Sequence, residues 1–173
     1  VGAEGNGLKA MAASSTISEI GSGHSIEAFI KTHLSRAGEG DFIAICQYIR
    51  ETPEHEELIQ AIRSHLRDST RTATTTGYGP RFLHSTGQLH KGGAASGVFL
   101  QITAEDAEDV TIPNEPYTFG VLKQAQALGD FQSLESRNRR AVRIHLGEDV
   151  AGGLRKLLDI VHNVFPISQG QAR

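Results

Sequence analysis

The sequence predicts an α/β protein, a parallel four-stranded sheet with helices on both faces. Four β-branched and apolar runs, around Ile43, Ala73, Phe99 and Val142, alternate with stretches of helical period. The first of them, residues 41–48, is nearly continuous in apolar side chains, as a strand buried on both faces requires. A length of 173 residues suits one domain.

Residues 1–24 carry Gly2, Gly5, Gly7, Gly21 and Gly23 among small polar residues, which reads as a flexible N-terminal arm or linker with a short helix near 8–13. From Ser25 the pattern becomes regular. Ile26, Phe29, Ile30 and Leu34 recur at helical spacing behind Ser25 as N-cap, and Gly38 and Gly40 stop that helix. After the strand at 41–48, Thr52 caps and Pro53 opens a helix whose buried stripe is Leu58, Ile59, Ile62 and Leu66. A threonine-rich strand at 71–76 ends at Gly77-Tyr78-Gly79-Pro80, and one helix is expected over 80–91, closed by Gly92-Gly93. Strand 96–102, helix 118–136, strand 141–146 and helix 150–164 complete an order of one helix followed by four βα units. The expected boundaries are an arm at 1–24, an α/β domain at 25–165 and a frayed tail at 166–173.

Composition excludes several classes of protein. With 38% hydrophobic and 21% charged residues the chain is globular, and a net charge of −3 gives no nucleic-acid footprint. One cysteine, Cys46, forms no internal disulfide, and its place in a buried strand suits an inert small hydrophobe. Apolar runs of only a few residues leave no membrane span, and no secretory signal is visible, so a cytoplasmic protein is expected. The start at Val1, with the only methionine at Met11, suggests a piece of a longer protein. Eight histidines show no His-x-x-x-His pair, so no metal site is expected, and there is no Gly-x-Ser-x-Gly elbow.

Ligands of such folds bind beyond the carboxyl ends of the strands, which directs attention to residues 74–93. The glycines at 77 and 79 permit close backbone approach, but Phe82 occupies the third position of a dinucleotide fingerprint and no Walker A ending follows. On a single helix over 81–91, Phe82, Leu83, Thr86 and Leu89 share one face. Arg81, His84, Gln88 and Lys91 share the other, which suits either a phosphate or acidic sugar oxygen, or simply solvent. His90 falls at the edge of the apolar face. The first turn of the helix at 118–136 points to the same sheet edge, with Lys123 two turns in as a partner charge or a solvated lysine. Residues 105–109 are acidic without the spacing of a calcium loop and read as solvated.

The block Gly77-Tyr78-Gly79-Pro80-Arg81-Phe82-Leu83-His84-Ser85-Thr86-Gly87-Gln88-Leu89-His90-Lys91-Gly92-Gly93, with 97–103, 116–130 and 142–146, resembles the C-terminal segment of a bacterial group of glucose-6-phosphate isomerases. That group includes bifunctional transaldolase/glucose-6-phosphate isomerase proteins. The resemblance covers roughly residues 40–160. It implies a sugar-isomerase (SIS)-like fold and the interconversion of glucose 6-phosphate and fructose 6-phosphate. A carboxylate base would move a proton between C2 and C1 through an enediol, without metal or redox cofactor. Two isomerase signatures, Gly-Gly-Arg-[Phe/Tyr]-Ser and Phe-Asp-Gln-x-Gly-Val-Glu with its lysine, do not occur in the chain. No catalytic residue is therefore carried over. The implied role is a terminal domain apart from most of the catalytic machinery, with Arg81, His84, Ser85, Thr86, His90 and Lys91 as the substrate-binding set. Sugar phosphate and the remaining isomerase domains are the implied partners, and a homo-oligomer stays open. A non-catalytic interaction or dimerisation domain of the same enzyme is the alternative.

Overall fold

The computed structural model describes residues 1–21 and 23–167. Its elements are β1 (Ala3–Gly5), β2 (Leu8–Met11), α1 (Ser14–Ile20), α2 (Ile26–Leu34), β3 (Phe42–Tyr48), α3 (Pro53–Thr70) and β4 (Ala73–Tyr78). A 3-10 turn (Arg81–Leu83), α4 (Ser85–Gly92), β5 (Gly97–Thr103), α5 (Phe119–Glu135), β6 (Arg140–His145) and α6 (Val150–Val164) follow.

The sheet runs β1-β2-β6-β5-β3-β4. Its last four strands are mutually parallel, and these are the four expected from the sequence. The sheet as a whole is mixed and six-stranded, because β1 and β2 form a hairpin that adds antiparallel to β6. That corrects the arm expected over 1–24 and its short helix at 8–13. Asn6 and Gly7 have φ of 55° and 75°, the left-handed pair that a two-residue hairpin turn demands. Ala3, Leu8 and Ala10 alternate inward and are buried, so the glycines of this segment serve a strand pair. Of the expected tail, residues 168–173 lie outside the described residues.

Helices cover both faces. On one, α2, α3 and α6 press Phe29, Ile30, Ile59, Ile62, Leu154 and Leu157 onto Ile43, Ile45, Leu100 and Val142. On the other, α5 supplies Ala127, Phe131 and Leu134, which join Phe82 against Ala44, Tyr48, Phe99 and Ala141. Ser25 and Thr52 cap as expected, accepting from the amides of Ala28 and His55, and Asp149 caps α6 by accepting from Gly152. Every residue of β3 from Ile43 to Tyr48 is buried. Among the described residues, no helix is long and apolar enough to cross a membrane.

Two outcomes follow for stability. Leu8 is fully buried in the hairpin, so Leu8→Ala should cost about 3 kcal/mol in urea unfolding; a cost near zero would return residues 1–24 to a loose arm. His33 is also fully buried, donating Nε2–H to the carbonyl of Phe99 at 3.0 Å and leaving Nδ1 unpaired. Burial pushes its pKa down from 6.5 to about 3. The unfolded chain then binds a proton that the folded chain refuses, so this stability is full above pH 6.5 and lost as pH falls toward 3. Urea unfolding between pH 7 and 4 should show the decline, and His33→Gln should flatten it; equal slopes would refute the assignment.

Candidate functional site

The strand ending at Tyr78 turns through Gly79, where a Cβ would stand 2.3 Å from the ring of Tyr48. Only glycine lets the backbone pass there. Beyond it the expected single helix is two pieces. The 3-10 turn closes at Leu83, His84 takes φ −81° and ψ −124°, and α4 starts afresh at Ser85. The break shifts the phase, so Leu89 is exposed and His90 buried, and Arg81, His84, Gln88 and Lys91 share no helical face.

The substrate-binding residues expected from the sequence separate accordingly. Arg81 and Thr86 line one cleft, with His84 and Ser85 exposed at the start of α4. His90 is instead packed edge-on to Phe99, ring centroids 4.9 Å apart, and burial lowers its pKa. Lys91 turns to Asp130 on α5, an ion pair at 2.6 Å with the carboxylate side chain 4% exposed. Asp130 also lies 3.4 Å from the amide nitrogen of Gln101, which donates to the carbonyl of Ala127 as well. The Arg143 guanidinium donates to the Gln101 side-chain oxygen and to the same carbonyl. His90 and Lys91 are thus not brought to the cleft; they fasten α4 to the sheet and to α5.

The cleft that takes Arg81 and Thr86 has a volume of about 460 Å³ and opens between the first turns of α3 and the carboxyl ends of β3 and β4. Parallel register sets Gln47 beside Tyr78. The Gln47 side chain is fully buried, and its oxygen accepts from the Thr76 hydroxyl at 2.9 Å. Tyr78 brings its hydroxyl within hydrogen-bonding reach of Glu56 and Gln47, and burial together with the contact to the Glu56 carboxylate pushes its pKa up to about 12. On α3, Arg63 donates to Gln60 and Gln60 to Glu56, so a polar layer separates this helix from the edge strand. At the mouth, Arg81 pairs with Glu51 at 2.5 Å, with the two side chains 72% and 51% exposed.

Sequence reasoning missed Gln47, Thr76 and Glu56 as cleft residues. The available signal was Gln47 itself, a primary amide inside the apolar run of β3.

A larger cavity, about 720 Å³, lies where β3 and β5 diverge and the helices after β3 and β6 begin. Its charges are braced: Lys123 pairs with Asp106 at 2.5 Å, and Glu105 approaches His145 at 3.3 Å. The acidic stretch at 105–109 is the exposed loop expected from the sequence, and its last residue, Asp109, accepts from the Thr118 hydroxyl and the Gly120 amide at the start of α5. Those bonds lower the pKa of Asp109. Among the described residues, no group of three or more His, Cys, Asp or Glu side chains is placed to hold a metal ion.

The fold and these clefts define an α/β protein with an open polar groove on its outer parallel strand. It is similar to a crystal structure of a hypothetical protein from Thermus thermophilus, with a TM-score of 0.66 and 16% identity over 83% of this chain. At that identity the likeness is one of fold. The match spans 40% of the Thermus chain. No family model matches this chain, and no curated protein does.

The two ends of the block should respond differently to mutation. Lys91→Ala strands the buried Asp130 carboxylate and should cost about 3 kcal/mol, whereas Arg81→Ala breaks only an exposed pair and should stay within about 0.5 kcal/mol. Denaturant midpoints of the two variants check this; similar losses would contradict it.

Proposed function

We propose that the chain is the sugar-phosphate-binding, SIS-like domain of a glucose-6-phosphate isomerase of the kind it resembles, a group that includes the enzymes fused to transaldolase. The observation that supports it is the cleft beside the resembling block, where Arg81 stands at the mouth of a groove floored by hydroxyl and amide groups. In this reading the phosphate takes the guanidinium of Arg81, with His84, Ser85 and Thr86 at the same end. With Arg81 72% exposed, water screens that contact and holds its worth to about 0.2–1 kcal/mol. Glu51 pairs with Arg81 and is displaced on binding. The other domains of the isomerase supply the base that moves the proton through the enediol, since both signature segments are missing from this chain.

Titration of the chain with fructose 6-phosphate tests the reading. Binding is expected, weakened about threefold by Arg81→Ala and strengthened by Glu51→Gln, which removes the competitor. A coupled assay should show no isomerase turnover by the chain alone, and turnover would overturn the division of labour. A second reading, a docking domain, is favoured by α5, where Val121 and Leu128, seven residues apart and so on one face, are 51% and 46% exposed. Under it the chain would bind the remaining isomerase domains and no sugar phosphate, so the same titration separates the two.

A further inference from the structure

Two of the long helices turn charge to solvent: α3 exposes Glu54, Glu57 and Arg67, and α6 exposes Arg155, Lys156 and Asp159. α5 does not. Away from its buried Ala127, Phe131 and Leu134 it exposes Val121, Gln124, Ala125, Leu128, Gly129 and Gln132, none of them charged. Lys123 and Asp130 are held in ion pairs, and Glu135 is the last residue of the helix. Loss of charge with apolar side chains kept is the composition of an interface core. Gly129 adds shape, because a Cβ there would meet nothing within 4 Å and the backbone lies open to a close neighbour.

Charge at the two ends of α5 selects the occupant. The loop over 104–118 carries Glu105, Asp106, Glu108, Asp109 and Glu115 and no lysine or arginine. Just past the helix stand Arg137, Arg139 and Arg140, with no carboxylate among 136–140. A second α5 laid antiparallel brings the acidic start of each helix to the basic end of the other and opposes the two helix dipoles. A parallel pair would set like charge on like. The exposed face also maps onto itself. With a two-fold axis passing between residues 126 and 127, Leu128 meets Ala125, Gln124 meets Gly129 and Val121 meets Gln132, so larger side chains fall on smaller ones in the first two pairs.

We propose that α5 is a self-association face, on which two copies of this chain pair antiparallel about a two-fold axis. The proposal is independent of the sugar-phosphate reading, and it gives α5 to a second copy rather than to other isomerase domains. A helix of 17 residues makes a ridge of about 25 Å, at the small end of specific interfaces, so the pair is micromolar and reversible.

Sedimentation velocity of the chain over about 5–500 μM tests this, and a concentration-dependent monomer–dimer equilibrium is expected. Leu128→Glu sets a charge against the partner copy and should abolish the dimer. Its melting temperature should hold, because Leu128 is exposed in the single chain. Glu57→Lys, on the exposed side of α3, should leave the equilibrium unchanged. Arg137→Glu and Glu115→Arg should each weaken the dimer severalfold, and the chain carrying both should regain most of that loss. A chain that stays monomeric throughout overturns the proposal and leaves the face to a different partner. A dimer that survives Leu128→Glu, or charge variants that do not rescue each other, overturns the antiparallel α5 pair.

Discussion

β3 is hydrogen-bonded along both edges, to β4 and β5, and covered on both faces. Nothing on it reaches solvent between Ile43 and Tyr48, so each of its polar atoms must be satisfied inside the protein. Ile43 and Ile45 meet this condition by having no polar side-chain atoms. Gln47, in the next inward position, has two, and β4 meets it with the hydroxyls of Thr76 and Tyr78. The neighbouring polar layer on α3 follows from the same residue: a purely apolar stripe there would close over Gln47. Arg63, Gln60 and Glu56 instead keep this part of the α3–β4 contact polar and the groove open.

The opposite face solves a related problem with charge. α4 is only eight residues long and leaves Leu89 in solvent, so apolar burial holds it weakly. The Lys91–Asp130 pair, the Gln101 and Arg143 bonds behind it, and Arg139 donating to the carbonyls of Lys91 and Gly93 supply the fastening. The Phe82 ring meets Tyr48 edge-on at 5.4 Å and anchors the other end of the block. Between these anchors, His84, Ser85 and Thr86 are left facing outward beside Arg81.

Much of this architecture was legible because strand burial and helix capping are local signals. The run at β3, the Thr52-Pro53 start of α3 and the period of α6 each state their structure within a few residues. The hairpin was obscured by composition: five glycines in the first 24 residues read as looseness, although Asn6-Gly7 between Ala3 and Leu8 was a turn signal of the two-residue kind. The helix over 80–91 failed for a different reason. Packing of Phe82 on Tyr48 and of His90 on Phe99 sets two anchor points that one continuous helix does not satisfy, and the chain breaks at His84 between them. Ion pairing was invisible as well, since Lys91 and Asp130 are 39 positions apart (130 − 91) and only the fold brings them together. Residue type marked Lys91 as a cation, and tertiary structure decided that it is spent inside.

The charge around the groove sets what this chain can do by itself. Its lining holds one guanidinium, Arg81, against two carboxylates, Glu51 and Glu56. A phosphate dianion arriving at the mouth must therefore displace Glu51 and still lie near a negative wall. The exposed position of Arg81 leaves that contact in water, where a charge pair is worth little. On the reading proposed here, the chain by itself has only a weak hold on the phosphate.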